Sequence, residues 1–263
     1  MKDALVSALI ERFDGPDIRA IVLMGSHARG DAGPYSDIDL ARFIYEPSGH
    51  EAVSYLIDGY LVVVTDIGTT TIETWFSEPE EASNFIGGLR SAQPLLDRDQ
   101  TFANLQARAR SFTWDAPMQL KANAWASRQM IGWIEEVYKG LEGLRRKDKG
   151  RLLNARHGCS WGLSRVVQVQ RGVLLSGDNA FYDELAVAVG WDSQWVRLRR
   201  IAFGVTEENE TAPSLREQVT AGLRLYVRTA EMLTGTLRPE DEPLVTQTVR
   251  LIWQFLGPEE TGK

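Results

Sequence analysis

An apolar run, Ile18-Arg19-Ala20-Ile21-Val22-Leu23-Met24, stops at Gly25-Ser26, and about a dozen residues later the chain reads Ser36-Asp37-Ile38-Asp39-Leu40. The run has the length and branched content of a buried strand. A glycine directly behind it marks a bend that other residues adopt only with strain. Asp37 and Asp39 are two apart, so on a second strand they share one face while Ile38 and Leu40 point to the other. The fold must therefore bring a tight glycine bend and two like charges together at the end of a sheet.

That combination has a chemistry. A strand, a Gly-Ser bend and a short helix aim backbone N–H groups at an anion. Gly25 lets the backbone come close, Ser26 adds a hydroxyl donor, and Arg29 carries a guanidinium suited to phosphate oxygens. Two carboxylates at the spacing of Asp37 and Asp39 repel unless a cation lies between them. Magnesium, hard and oxygen-seeking, shares carboxylates readily with phosphates. Gly-Ser, a lone arginine and Asp-x-Asp each occur in ordinary loops and caps; it is their order and spacing that points to a nucleoside triphosphate held through magnesium.

The stretch Gly25-Ser26-His27-Ala28-Arg29-Gly30-Asp31-Ala32-Gly33-Pro34-Tyr35-Ser36-Asp37-Ile38-Asp39 resembles the signature of the polymerase-beta-like nucleotidyltransferase superfamily. Within it the stretch looks most like the antibiotic-modifying branch, that of kanamycin nucleotidyltransferase and related aminoglycoside and lincosamide enzymes. The resemblance covers about residues 18–66 and extends to the C-terminal half only in layout. It implies an α+β fold, with a mixed sheet flanked by helices and then an all-helical bundle. It also implies magnesium at Asp37 and Asp39, triphosphate contacts from Gly25, Ser26 and Arg29, and a supporting role for Ser36. The reaction would be attack of an acceptor hydroxyl on the α-phosphorus of ATP or another nucleotide, releasing pyrophosphate.

The pattern departs from the superfamily at one place. A third carboxylate is expected on the strand after the hairpin, near Val63 of Leu61-Val62-Val63-Val64-Thr65-Asp66-Ile67, and that position is apolar. Asp66 is the nearest acid and the candidate third metal ligand. On a regular strand it faces away from the Val63 side, and a bulge would be needed to turn it back; otherwise it simply ends the strand. A general base is sought instead in Trp133-Ile134-Glu135-Glu136-Val137-Tyr138-Lys139, where Glu135 and Lys139 lie one helical turn apart. In the resemblance such a glutamate takes the hydroxyl proton and the lysine reaches the phosphates. An exposed ion pair gives the same spacing, and Glu136 is adjacent.

The rest of the chain supplies the frame. Residues 3–13 have helical apolar spacing, Ile38 to Tyr45 read as a strand closed by Pro47-Ser48-Gly49, and 52–57 with 60–67 form a hairpin about Asp58-Gly59. Helices are expected over 70–76 and 78–86 and a short strand over 92–96. Long helical patterns follow at 101–111, 116–145, 149–173, 179–188, 192–203, 212–236 and 239–256. This divides the chain into a nucleotidyltransferase domain, 1–105, and a helical acceptor-binding domain, 106–263. His27 reads as an exposed position in the bend, Trp161, Trp191 and Trp195 as core, and Arg197, Arg199 and Arg200 as a solvated helix end. Ser176-Gly177-Asp178-Asn179 reads as a loop and cap, or as acidic contacts to a cationic acceptor.

Composition narrows the partners. The 263 residues carry a net charge of -7, which argues against general nucleic-acid binding and suits a cationic small acceptor as well as plain solubility. The single cysteine, Cys159, permits no internal disulfide and fits a reducing cytoplasm. No apolar signal region opens the sequence and no run approaches the length of a membrane span. A cytoplasmic, magnesium-dependent enzyme acting on a small hydroxyl-bearing molecule, an aminoglycoside-type antibiotic in the first instance, is the leading expectation. A nucleotide-binding regulatory or antitoxin-like module that lost turnover, or transfers to a protein, is the alternative.

Overall fold

The structure, a computed structural model, describes residues 3–47, 49, 51–206 and 210–257. They form two compact units, residues 1–118 with 174–181 and residues 119–173 with 182–263.

The first unit is a five-stranded mixed sheet with helices on both faces. Helix α1 (Asp3–Phe13) leads into β1 (Ile18–Leu23), a five-residue helix α2 (Gly25–Arg29) and β2 (Ile38–Ile44). Ser48, in the turn expected after β2, lies outside the described residues. Strands β3 (Val53–Ile57) and β4 (Tyr60–Ile67) form the hairpin, and α3 (Thr69–Ser77), α4 (Pro79–Ser91), β5 (Gln93–Asp97) and α5 (Thr101–Ser111) follow. The strand order is β3-β4-β2-β1-β5, with β2 and β4 parallel and the other neighbours antiparallel. At the hairpin Asp58 and Gly59 both take positive φ, 49° and 83°, the backbone that an Asp-Gly turn between twisted strands requires.

Alternation along β2 divides the core. Ile38, Leu40 and Ile44 join Ile21, Leu23, Val62 and Val64 against Leu5, Leu9 and Phe13 of α1. Ala41 and Phe43 join Ala20 and Val22 against Trp75, Ile86, Leu89 and Phe102 of α3, α4 and α5. Asp39 shares the parity of Ala41 and Phe43, so it stands at the end of the second face. Helix α4 passes through Gly87-Gly88, where the sequence pattern stops. The chain at Leu174–Leu175 crosses there so closely that a side chain at Gly87 would strike the Leu175 carbonyl, and the Leu175 N–H donates to the Ser83 carbonyl at 2.9 Å.

The second unit is helical. The pattern over 116–145 is divided at Trp133 into α6 (Ala116–Gly132) and α7 (Ile134–Arg146), and that over 149–173 into α8 (Lys149–His157), a π-helical turn (Gly158–Gly162) and α9 (Leu163–Gln170). The two breaks are one packing event. Side chains at Gly158 or Gly162 would collide with Glu136 and with the Trp133 ring, so the wide glycine-bearing turn makes room for them. Asp178–Ala180, which belong to the first unit, form a 3₁₀ turn; α10 (Phe181–Val189), α11 (Gln194–Phe203), α12 (Leu215–Met232) and α13 (Glu242–Leu256) complete the second unit. Among the described residues no helix is long and apolar enough to cross a membrane.

The arginine cluster of α11 is not simply a solvated end. Arg199 is 1% exposed; it donates to the Ser164 hydroxyl at 2.9 Å and the Tyr182 carbonyl at 2.7 Å, and it lies against the rings of Tyr182 and Phe203. Burial pushes its pKa down to about 10. Of the three tryptophans read as core, Trp195 is buried, whereas Trp161 and Trp191 are half exposed.

Candidate functional site

Gly25 opens α2 at a φ of 62°, the left-handed region, and a side chain there would collide with the Asp39 carboxylate. The bend therefore lies directly on Asp39, and the Met24 N–H fixes the contact by donating to the Asp39 carbonyl at 2.8 Å. Such a position accepts glycine alone without strain. The amide of Gln93 on β5 caps the other end of the bend by donating to the Ala28 carbonyl.

Asp37 precedes β2 and Asp39 is its second residue; both are half-buried. The Asp39 carboxyl is pushed above the ordinary carboxylate range. Burial is the largest cause, followed by the charges of Asp37 and Asp178, while His27 and Arg29 oppose the rise. Residues 174–181 bring Asp178 there. The Ser176 carbonyl accepts from Arg29 Nη1 at 3.2 Å, and the backbone at Gly177 lies so close that a side chain would come within 2.8 Å of that nitrogen. Arg29 Nε also donates to Asp31 at 3.2 Å. The guanidinium is thus held from two sides beside the bend. Composition and spacing gave no sign that a segment 147 residues away would do this.

Ser36 lies in the loop before the aspartates, where its hydroxyl accepts from the Gly33 N–H at 2.9 Å. His27 is half-buried rather than exposed. Its ring sits edge-on to Tyr60, 6.4 Å between centroids, and its Nε2 is buried without a partner among the described residues. A cavity of about 590 Å³ opens beside it, lined by His27, Gly30, Asp58 and Tyr60 together with the start of α1.

Residues 3–84 match the nucleotidyltransferase domain family. The match spans the glycine bend, both aspartates and β1 to β4, and it supports nucleotidyl transfer as the general chemistry of this domain. Nucleotidyltransferase domains generally use divalent metal ions. A crystal structure of a nucleotidyltransferase-like protein from Exiguobacterium sibiricum 255-15, at 1.90 Å resolution, is similar at 13% identity. It aligns over 96% of this chain and 76% of that one, with a TM-score of 0.45. No curated protein matches the chain.

Asp66 is not brought to the pair. The register of β2 with β4 runs without a bulge from Ile38↔Val62 to Phe43↔Ile67, which sets Val63 beside Asp39 and Asp66 beside Arg42. Arg42 takes Asp66 in a two-pronged ion pair at 2.6 and 2.7 Å and also donates to the Phe13 carbonyl, on the face that α1 covers. The third ligand expected at Asp66 is therefore corrected: its carboxylate is committed to the frame. Among the described residues no three His, Cys, Asp or Glu side chains gather as a metal site. Two half-buried carboxylates, one with its proton affinity raised, still make an oxygen donor set that suits a hard divalent cation sharing its other positions with phosphate and water. Asp66→Asn should leave the magnesium dependence of any activity unchanged and cost about 1–3 kcal/mol of stability in urea unfolding, by leaving Arg42 without its counter-charge.

Glu135 and Lys139 lie on α7 in the helical unit, outside the matched residues. Lys139 Nζ bridges two acids, Glu135 at 2.9 Å and Glu136 at 2.7 Å. They differ sharply in surroundings: the Glu135 side chain is 76% exposed and that of Glu136 17%. The Lys139 hydrogen bond holds the Glu135 carboxyl below its ordinary range. Glu136 Oε2 is buried without a partner among the described residues, its stem pressed against Gly158 of the π-helical turn.

Proposed function

We propose that the protein transfers a nucleoside monophosphate, AMP from ATP in the first instance, onto a hydroxyl of a small cationic molecule of the aminoglycoside type. The observation that carries this reading is the seating of the Gly25 bend on the Asp39 carboxylate, which sets a phosphate turn against an acid pair with no side chain between them. Asp37 and Asp39 would hold magnesium, which when bound supplies charge neutralisation and alignment to the triphosphate. Ser26 and the backbone of the bend would bond phosphate oxygens, and the doubly anchored Arg29 would present its remaining guanidinium N–H groups to them. Ser36 would support the loop that carries Asp37. The cavity at His27 and Tyr60 has room for a nucleoside.

In the reaction the acceptor oxygen bonds to the α-phosphorus, the bond from that phosphorus to the bridging oxygen breaks, and pyrophosphate leaves. The hydroxyl proton passes to a carboxylate. The residues suited to that step are Glu135 and Glu136, both bonded to Lys139, and Glu136 is the one whose second oxygen is covered and without a partner among the described residues. Asp178 adds a third negative charge at the pair, which favours a cationic acceptor over an anionic one. Incubation with magnesium, each labelled triphosphate and a panel of aminoglycosides, lincosamides, neutral sugars and proteins, with pyrophosphate release followed, tests the reading. Transfer to a cationic small molecule is expected. Tight nucleotide binding with no transfer to any acceptor would favour a regulatory module instead.

A further inference from the structure

A second cavity, of about 620 Å³, lies wholly within the helical unit, between α11 and the N-terminal half of α12. Its walls are apolar at Leu198, Ile201 and Ala221, and arginines line it at positions 200, 216 and 224. Their partners decide its character. Arg200 is taken by both oxygens of Glu210 at 3.1 Å. Arg216, exposed, reaches only the Leu144 carbonyl among the described residues, at 3.5 Å. Arg224 is half-buried and makes no hydrogen bond or ion pair among the described residues, and its Nε is fully covered. The other acid on the lining, Glu217, is spent on the cap of α12, where it accepts from the N–H and hydroxyl of Ser214, both at 2.7 Å.

Two guanidinium charges thus line the cavity without a counter-ion among the described residues, in a chain whose net charge is -7. A covered guanidinium nitrogen with nothing to bond is costly in an apolar setting. Arg216 and Arg224, eight residues apart on one helix, are separated by about 12 Å along its axis, with Thr220 midway. That is the length of a small organic molecule with room to spare for its charged group.

We infer that this cavity binds a small organic anion: an apolar or aromatic body lying along Leu198, Ile201 and Ala221, with a phosphate or carboxylate group bonded by Arg224. The site stands apart from the aspartate pair and does not rest on the transfer reaction proposed above.

The probe is 1-naphthyl phosphate, titrated into the full chain by calorimetry at 0.15 M salt, with inorganic phosphate and uncharged 1-naphthol in parallel. Naphthyl phosphate should saturate one site at least about tenfold more tightly than either half alone, about the worth of one charge-assisted hydrogen bond. Arg224→Gln should weaken it by about tenfold or more. Thr220→Trp, which fills the space between the two arginines, should abolish it. Arg228→Ala, which removes an arginine bonded to Glu231 outside the cavity, should leave it intact, as should Asp39→Asn. Absence of saturable binding, equal affinity for naphthol, or binding that survives both Arg224→Gln and Thr220→Trp overturns the assignment. So does binding lost in Asp39→Asn, since the probe would then occupy the phosphate bend.

Discussion

Asp39→Asn should make the metal-free protein more stable at neutral pH while cutting pyrophosphate release by at least about a thousandfold. Both effects have one cause. The Asp39 carboxyl is raised by burial first, then by the charges of Asp37 and Asp178. An acid whose folded pKa exceeds its unfolded value costs nothing while both states are protonated. Its cost grows as pH rises from the unfolded value to the folded one, and persists in full above that. Asparagine has the same shape and no charge, so at pH 7 the variant escapes this cost, and below the ordinary carboxylate range it gains nothing. Thermal midpoints at both pH values check the sign; in a chain of this size each kcal/mol recovered raises the midpoint by about 2–4 °C. Magnesium with ATP should then stabilise the unmodified protein and not the variant. A loss of stability in Asp39→Asn would mean that the carboxylate serves the fold, and the metal reading would fall with it.

The second large effect distinguishes two neighbouring acids. Glu136→Gln should lower kcat by about 10²–10⁴-fold, the usual worth of a positioned base, with nucleotide affinity retained, and Glu135→Gln should change it by only a few-fold. Glu135 is well exposed, so bulk water competes there for the acceptor hydroxyl. Glu136 is the covered one, with one oxygen on the same lysine and the other without a partner among the described residues. Single-turnover transfer, urea midpoints and nucleotide binding measured on both variants separate chemistry from folding. If Glu135→Gln loses the activity and Glu136→Gln keeps it, the exposed acid is the base. If Glu136→Gln loses only stability, that residue is a structural partner of Lys139.

What could be read from the sequence, and what could not, follows from the range of the forces involved. The hairpin at Asp58-Gly59, the strand stopped by Gly25 and the alternation of Ile38 and Leu40 against Asp39 are local matters of backbone freedom and side-chain direction, and the structure repeats them. Val63 beside Asp39 follows from the same period, and the unbroken register decides against Asp66. The breaks at Trp133 and at the π-helical turn depend on two segments meeting, which helical spacing in either segment cannot disclose. Arg199 looked like one of three surface charges because its partners, Ser164 and Tyr182, lie 35 and 17 residues away. Likewise the approach of residues 174–181 to Arg29 and Asp39 left a trace only in retrospect, in the glycines at 87 and 177 where backbones must pass closely.

That approach bears on how the molecule can be taken apart. Leu174 and Leu175 complete the packing over α4, and Ser176 steadies the guanidinium at the bend. A fragment ending near residue 118 would keep every residue of the matched family and still lack these. It should expose greasy surface around Gly87, let Arg29 swing free, and precipitate or bind nucleotide poorly despite an intact signature. Minimal versions of this protein therefore need the distant strap supplied, either by the whole polypeptide or as a peptide added back.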